Sequence, residues 1–149
     1  MKLLRASLLA LLLGAIVTAS GYSIAAFNAG ASDAATPVGP GLVTVNVDIE
    51  HSRFRGVDLA VRVGTLVRFV VRNADPINHE FMIGDTALHA RHERGTEGSH
   101  PPVPGEVSVG PGENGVTTYR FDTAGTVTFA CHLPGHLAYG MVGTIIAVA

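Results

Sequence analysis

Charged residues are scarce in this chain, and lysine is almost absent. Asp, Glu, Lys and Arg together make up 15% of the 149 residues, Lys2 is the single lysine, and 47% of the residues are hydrophobic. This balance argues against a disordered chain, and the length suits one domain. Because no basic run is available to attract a phosphate backbone, nucleic acid is excluded as an expected partner.

An uncharged apolar stretch lies near the N-terminus. Lys2 and Arg5 precede residues 6–32, which carry no charge, and residues 6–19 have the apolar character of a signal-peptide core. Residues 1–31 are therefore predicted to be a signal peptide or an N-terminal membrane anchor. Small residues favour cleavage after Ala19 or Ala31, whereas an uncut segment over residues 6–27 is long enough to span a bilayer and tether the protein.

Either fate of the leader predicts that the rest of the chain is exported. It would be periplasmic, extracellular or on the outer face of the cytoplasmic membrane. Cys131 is the only cysteine, so it cannot form an internal disulfide, and a free thiol in such a compartment is open to oxidation. It therefore needs another reason to be present, either as a small buried hydrophobe or as a ligand.

Proline and glycine clusters divide the remaining sequence into short segments. Residues 32–41 are predicted to be a linker, and residues 42–149 a single domain. Apolar and polar residues alternate over residues 42–50, the two-residue period of a half-buried strand. Further strands are predicted at residues 57–63, 65–72, 79–83, 106–109, 116–121, 126–131 and 142–148, with a short, partly helical insertion over 86–97. This pattern indicates an all-β sandwich of seven or eight strands.

Three different soft or borderline metal ligands lie close together near the C-terminus. Cys131, His136 and Met141 follow the spacing Cys-x4-His-x4-Met across a Pro-Gly turn. A thiolate, an imidazole and a thioether together suit copper, which binds two histidines and a cysteine in a trigonal arrangement with a weak axial methionine. Ordinary packing is the alternative explanation for Met141.

Strand parity indicates which histidine completes the set. His79 shares parity with the apolar Phe81 and should point inward, whereas Met82 should point outward. Cys131 shares parity with Phe129 and should also point inward. The alternative for His79 is an inward histidine that is hydrogen-bonded to a backbone carbonyl.

The segments NHEF at residues 78–81 and FACHLPGHLAYGM at residues 129–141 resemble the cupredoxins, the type 1 (blue) copper proteins. The two four-residue spacings are similar to those of rusticyanin, auracyanin and sulfocyanin. The resemblance implies a Greek-key β-sandwich that binds one copper ion. Its implied ligands are His79, Cys131 and His136 in the equatorial plane and Met141 on the axis.

The same resemblance implies a role for Asn78 beside the first histidine. In several members the corresponding residue hydrogen-bonds across to the cysteine loop and stiffens the site. The alternative is that Asn78 caps a turn after Asp75 and Pro76.

A copper ion enclosed by four protein ligands leaves no position for a substrate, so electron transfer is expected rather than enzymatic activity. Multicopper oxidases carry a linking histidine where this chain has Ala130, and binuclear copper domains need two cysteines. The expected function is one-electron cycling between Cu(I) and Cu(II), with exported or membrane-bound redox proteins as partners. The alternative is a copper-binding protein for copper delivery, storage or tolerance.

The apolar loop around His136 is a candidate docking patch for such partners. If the ring edge of His136 reaches the surface, electrons could enter and leave through the side chains that flank it. The patch comprises Leu133, Pro134, Leu137, Ala138 and Tyr139. The alternative is that the loop simply packs.

The remaining histidines form a second group. His89 and His92 would share one face of a short helix, with His100 nearby, which makes the three a candidate site for a second metal. The alternative is a solvated polar surface. His132 follows Cys131 directly and should face solvent or a partner.

Overall fold

The computed structural model describes residues 36–95 and 100–149. The predicted leader over residues 1–31 lies outside this part, as does the start of the predicted linker. The described residues form the following elements: β1 Gly41–Ile49, β2 Phe54–Arg55, β3 Ala60–Arg62, β4 Thr65–Asn73, β5 His79–Gly84, α1 Thr86–Glu93, β6 Glu106–Val109, β7 Asn114–Phe121, β8 Gly125–Ala130 and β9 Val142–Val148.

The strands form two sheets, one in the order β2-β1-β4-β7 and the other in the order β3-β9-β8-β5-β6. Strand β1 runs parallel to β4 and β3 runs parallel to β9, whereas the other neighbouring strands are antiparallel. The predicted β-sandwich is confirmed. The two-residue strand β2 was not predicted, because two residues are too few to show a period.

The core is built from side chains that both sheets direct inward. In β4 every second residue is buried, with Val67, Phe69 and Val71 fully inaccessible. The Phe69 ring meets Phe81 of the other sheet with 5.0 Å between centroids. Phe81 also packs on Phe129 of β8, at 5.4 Å, so aromatic contacts join the strands that lead to the cysteine and the first histidine.

Helix α1 covers the outer face of β5. It begins after Asp85, whose carboxylate accepts a hydrogen bond from the Leu88 N–H at 2.8 Å and caps the first turn. Met82 lies outside the core cluster, as its parity predicts, yet it is fully buried. The expectation that Met82 points outward is therefore correct about the face of the sheet but not about exposure to solvent.

Within residues 36–95 and 100–149, no helix has the length and hydrophobicity needed to cross a membrane.

Candidate metal centre

Three of the predicted ligands meet from different parts of the chain. His79 begins β5, Cys131 follows β8, and His136 lies in the loop between β8 and β9. Their ligand atoms all lie within 4.8 Å of one another. The Cys131 Sγ atom is 3.2 Å from His136 Nδ1, and the His79 and His136 rings are 4.8 Å apart between centroids.

Met141 stands at the end of the same loop, immediately before β9. Its carbonyl accepts a hydrogen bond from the Cys131 N–H at 3.0 Å, and its own N–H donates to the His136 carbonyl at 3.0 Å. Both Met141 and Cys131 are fully buried in the core cluster. These bonds close the loop between the two sulfur-bearing residues. The axial role of Met141 stays a prediction.

The hydrogen bonding of His79 shows that the pocket suits a metal. His79 is 1% exposed, and its Nε2 atom lies 3.0 Å from the Asp75 carboxylate. Its Nδ1 atom is buried and has no hydrogen-bond partner among the described residues. Because burying an unpaired polar atom is costly, a bound cation would satisfy it. A thiolate, two imidazoles and a nearby thioether are the donor set that copper accepts.

Burial sets the ionisation of the two loop ligands. Burial raises the pKa of the Cys131 thiol from 9.0 to about 11, while hydrogen bonds from the Glu80 and Leu133 backbone act in the opposite direction. Burial, together with the nearby His79, lowers the pKa of His136 below its usual value. The imidazole of His136 is thus neutral and able to bind a metal at neutral pH, whereas the thiol must lose a proton on binding.

The sequence over residues 42–148 matches the profile of a family described as copper binding proteins, plastocyanin/azurin family. The chain belongs to this family. Copper is therefore its cofactor, and the arrangement of two histidines, a cysteine and a methionine fits one copper site.

This cupredoxin is also similar to curated proteins named copper-resistant cuproprotein CopI. The relative from Rubrivivax gelatinosus is 40% identical over 126 residues, which cover 78% of this chain and 76% of the relative. The relative from Pseudomonas aeruginosa is 30% identical over 134 residues, which cover 68% of this chain and 74% of the relative.

Solved structures of auracyanins share the fold. Auracyanin B is 23% identical with a TM-score of 0.57, covering 76% of this chain and 94% of that protein. The dithionite-reduced auracyanin of Roseiflexus castenholzii is 21% identical with a TM-score of 0.59, covering 71% and 97%. These similarities support the cupredoxin fold that the sequence predicts.

The side chain of Asp75 contacts the first histidine. Asn78 is exposed, and its bond to the cysteine loop stays a prediction. The side chain that contacts His79 is that of Asp75, which no pattern in the sequence indicated. The sequence does show an aspartate four residues before the histidine. Aspartates are common in turns, however, and their presence there does not indicate which side chains they contact.

The candidate docking patch is only partly open to solvent. Tyr139 is 62% exposed, and Pro134 and Ala138 are also exposed. Leu133 and Leu137 are half-buried, and Leu133 packs against the core. His136 itself is half-buried within this loop. Docking of a partner here stays a prediction.

The three histidines of the second group, His89, His92 and His100, do not all lie together. His92 and His100 come together with Glu106, and the ligand atoms of the three lie within 4.8 Å of one another. His92 Nε2 is 3.0 Å from the Glu106 carboxylate, and His100 Nε2 is 3.1 Å from it. His92 is 5% exposed, so the expected alternative of a solvated surface does not describe this residue.

His89 is directed to a different neighbour. Its Nδ1 atom lies 2.8 Å from Nε2 of His132, and its Nε2 atom lies 3.1 Å from the Thr128 carbonyl. His132 was expected to face solvent or a partner, but it is half-buried under the helix residue His89. His132 is half-buried because α1, which also covers Met82, lies over the outer face of the sheet.

Proposed function

We propose that this chain is an exported type 1 copper protein that transfers single electrons, and that it serves copper tolerance. The observation that supports the redox chemistry is the convergence of the buried His79 and Cys131 with the half-buried His136, with Met141 bonded to the backbone of Cys131 and His136. The bound copper would supply one electron at a time by cycling between Cu(I) and Cu(II).

The protein's own contribution is to hold the ligands in place. Cys131 is fixed by the backbone bond to Met141, and His79 by its bond to Asp75. Both positions are buried against the aromatic core, so the ligands cannot rearrange freely when the oxidation state changes. A site enclosed in this way offers no coordination position to a substrate, which supports electron transfer rather than an enzymatic reaction.

The cellular role in copper tolerance is supported by the relatives. The proteins from R. gelatinosus and P. aeruginosa are both named for copper resistance. The cluster of His92, His100 and Glu106 supports the same role, because two imidazoles and a carboxylate are suitable ligands for a second copper or zinc ion. An electron carrier for an exported or membrane-bound partner, docking through the loop around His136, is the second candidate.

Growth in copper separates these two roles. Cells that lack the gene are expected to become copper-sensitive, and the wild-type chain should restore growth while Cys131→Ser should not.

A double variant, His92→Ala with His100→Ala, tests the second metal site. It is expected to bind fewer copper ions per chain than the wild type while it keeps the thiolate-to-copper absorption band of the type 1 site. Metal content is measured by mass spectrometry after dialysis.

The matched control for that double variant is Asp58→Ala, which removes an exposed carboxylate outside both clusters. An unchanged copper tolerance in cells without the gene would contradict the tolerance role and favour the electron carrier. An unchanged metal content in the double variant would exclude the second site.

A further inference from the structure

The carboxylate of Asp75 is held on three sides. Its Oδ1 atom accepts a hydrogen bond from the His51 N–H at 2.7 Å, and its Oδ2 atom accepts one from the Ser52 N–H at 2.8 Å. The same Oδ2 atom lies 3.0 Å from His79 Nε2. The Asp75 side chain is 12% exposed, so water does not fully screen its charge.

The backbone at His51 and Ser52 has an unusual conformation that directs two N–H groups to this carboxylate. His51 and Ser52 both have a φ of 51°, in the left-handed region that residues other than glycine seldom adopt. Two successive residues in this conformation carry a conformational cost, and the bonds to Asp75 offset it. Their two N–H groups converge on the carboxylate.

The turn that carries Asp75 is anchored as well. The Asp75 N–H donates to Asn73 Oδ1 at 2.9 Å. The Asn73 amide in turn donates to the carbonyls of Ile77 and Gly110, at 2.7 and 2.9 Å, from a position that is 2% exposed. The carboxylate is therefore a fixed part of the site and not a mobile surface acid.

Hydrogen-bond donors surround the carboxylate of Asp75. The His51 and Ser52 N–H groups and the His79 ring contact its two oxygens, and such contacts favour the charged form of the carboxylate. A carboxylate that accepts a bond from His79 Nε2 requires the proton on that nitrogen. This leaves the buried Nδ1 atom without a proton and able to bind a metal.

We propose that Asp75 is a positioning residue for the copper site, which fixes the Nε2–H tautomer of His79 and, through its negative charge, lowers the reduction potential of the bound copper. The inference rests on the proposed copper function. A fixed negative charge next to a ligand stabilises Cu(II) more than Cu(I), and a carboxylate partner raises the basicity of a ligating imidazole.

The test for the charge is Asp75→Asn, which keeps the shape and one acceptor oxygen but removes the charge. The matched control is Asp58→Asn, which changes the net charge equally at an exposed position. Spectroelectrochemistry of the copper-loaded proteins should show a more positive potential for Asp75→Asn than for both the wild type and Asp58→Asn. Equal potentials in the two variants, with the type 1 band retained, would overturn the electrostatic role.

The test for the tautomer needs no metal. ¹⁵N NMR of the copper-free wild-type chain should show the His79 proton on Nε2 and none on Nδ1. In Asp75→Ala, the fraction of this tautomer should fall while the chain stays folded by circular dichroism. A wild-type His79 with its proton on Nδ1 would overturn the positioning role. Failure of the copper function itself would be distinct, because the wild type would then show no type 1 band whatever its tautomer.

Discussion

The ionisation of Cys131 links the copper site to the stability of the copper-free protein. The thiol is fully buried, and its pKa rises from 9.0 to about 11 in the folded chain. As pH increases, the unfolded chain therefore loses this proton before the folded chain does. This difference in pKa adds to the free energy of unfolding below pH 9, and the added stability is lost as the pH rises through about 11.

The copper-free wild type is therefore expected to lose stability relative to Cys131→Ser between pH 9 and about 11. The loss is at most about 3 kcal/mol, since one pKa unit corresponds to 1.36 kcal/mol. Urea unfolding of both proteins across this range measures it, and Ser is the matched control because it does not ionise there. A constant difference between the two free energies of unfolding would show that the thiol is not buried as described.

At the same scale, sequence parity predicted the inward directions of His79 and Cys131 correctly. His79 begins β5 and Cys131 directly follows β8, and each shares sequence parity with an inward phenylalanine, Phe81 or Phe129, so the local pattern contains the information. Asp75 could not be found in this way, because its role depends on the N–H groups of His51 and Ser52, more than twenty residues away in sequence. Such contacts are properties of the folded chain and leave no periodic signal.

Among the elements, the short helix α1 was the least predictable. The sequence predicts a partly helical insertion over residues 86–97, and the helix is Thr86–Glu93. Its effect on its neighbours was not predicted, because it lies over Met82 and His132 and changes their surroundings without altering strand parity. Strand β4 was predicted well, since buried and more accessible residues alternate over its whole length.

Removing the cap of α1 should have a measurable but limited effect. Asp85→Ala deletes the acceptor for the Leu88 N–H and is expected to lower the free energy of unfolding by about 1 kcal/mol. Asp122→Ala is the control, because it removes an exposed acid outside the helix. Thermal or urea unfolding of the copper-free proteins provides the comparison. Equal stabilities for the two variants would show that Asp85 does not cap the helix.

On the scale of the whole molecule, the sandwich brings together residues that are distant in the chain. His79 and Cys131 are separated by 52 residues, yet β5 and β8 pair directly, with Met82 opposite Ala130. The aromatic cluster of Phe69, Phe81 and Phe129 supports these strands from within. The fold thus determines the ligand geometry, and the loop up to Met141 closes the site.

The most direct test is a Cu(II) titration of the purified protein and of its Cys131→Ser variant, followed by optical absorption. It tests the central claim that His79, Cys131, His136 and Met141 form one type 1 copper site. We expect an intense thiolate-to-copper charge-transfer band that is bleached by reductant and is absent from Cys131→Ser. A colourless Cu(II) complex of the wild type, or a band that persists in the variant, would contradict the account.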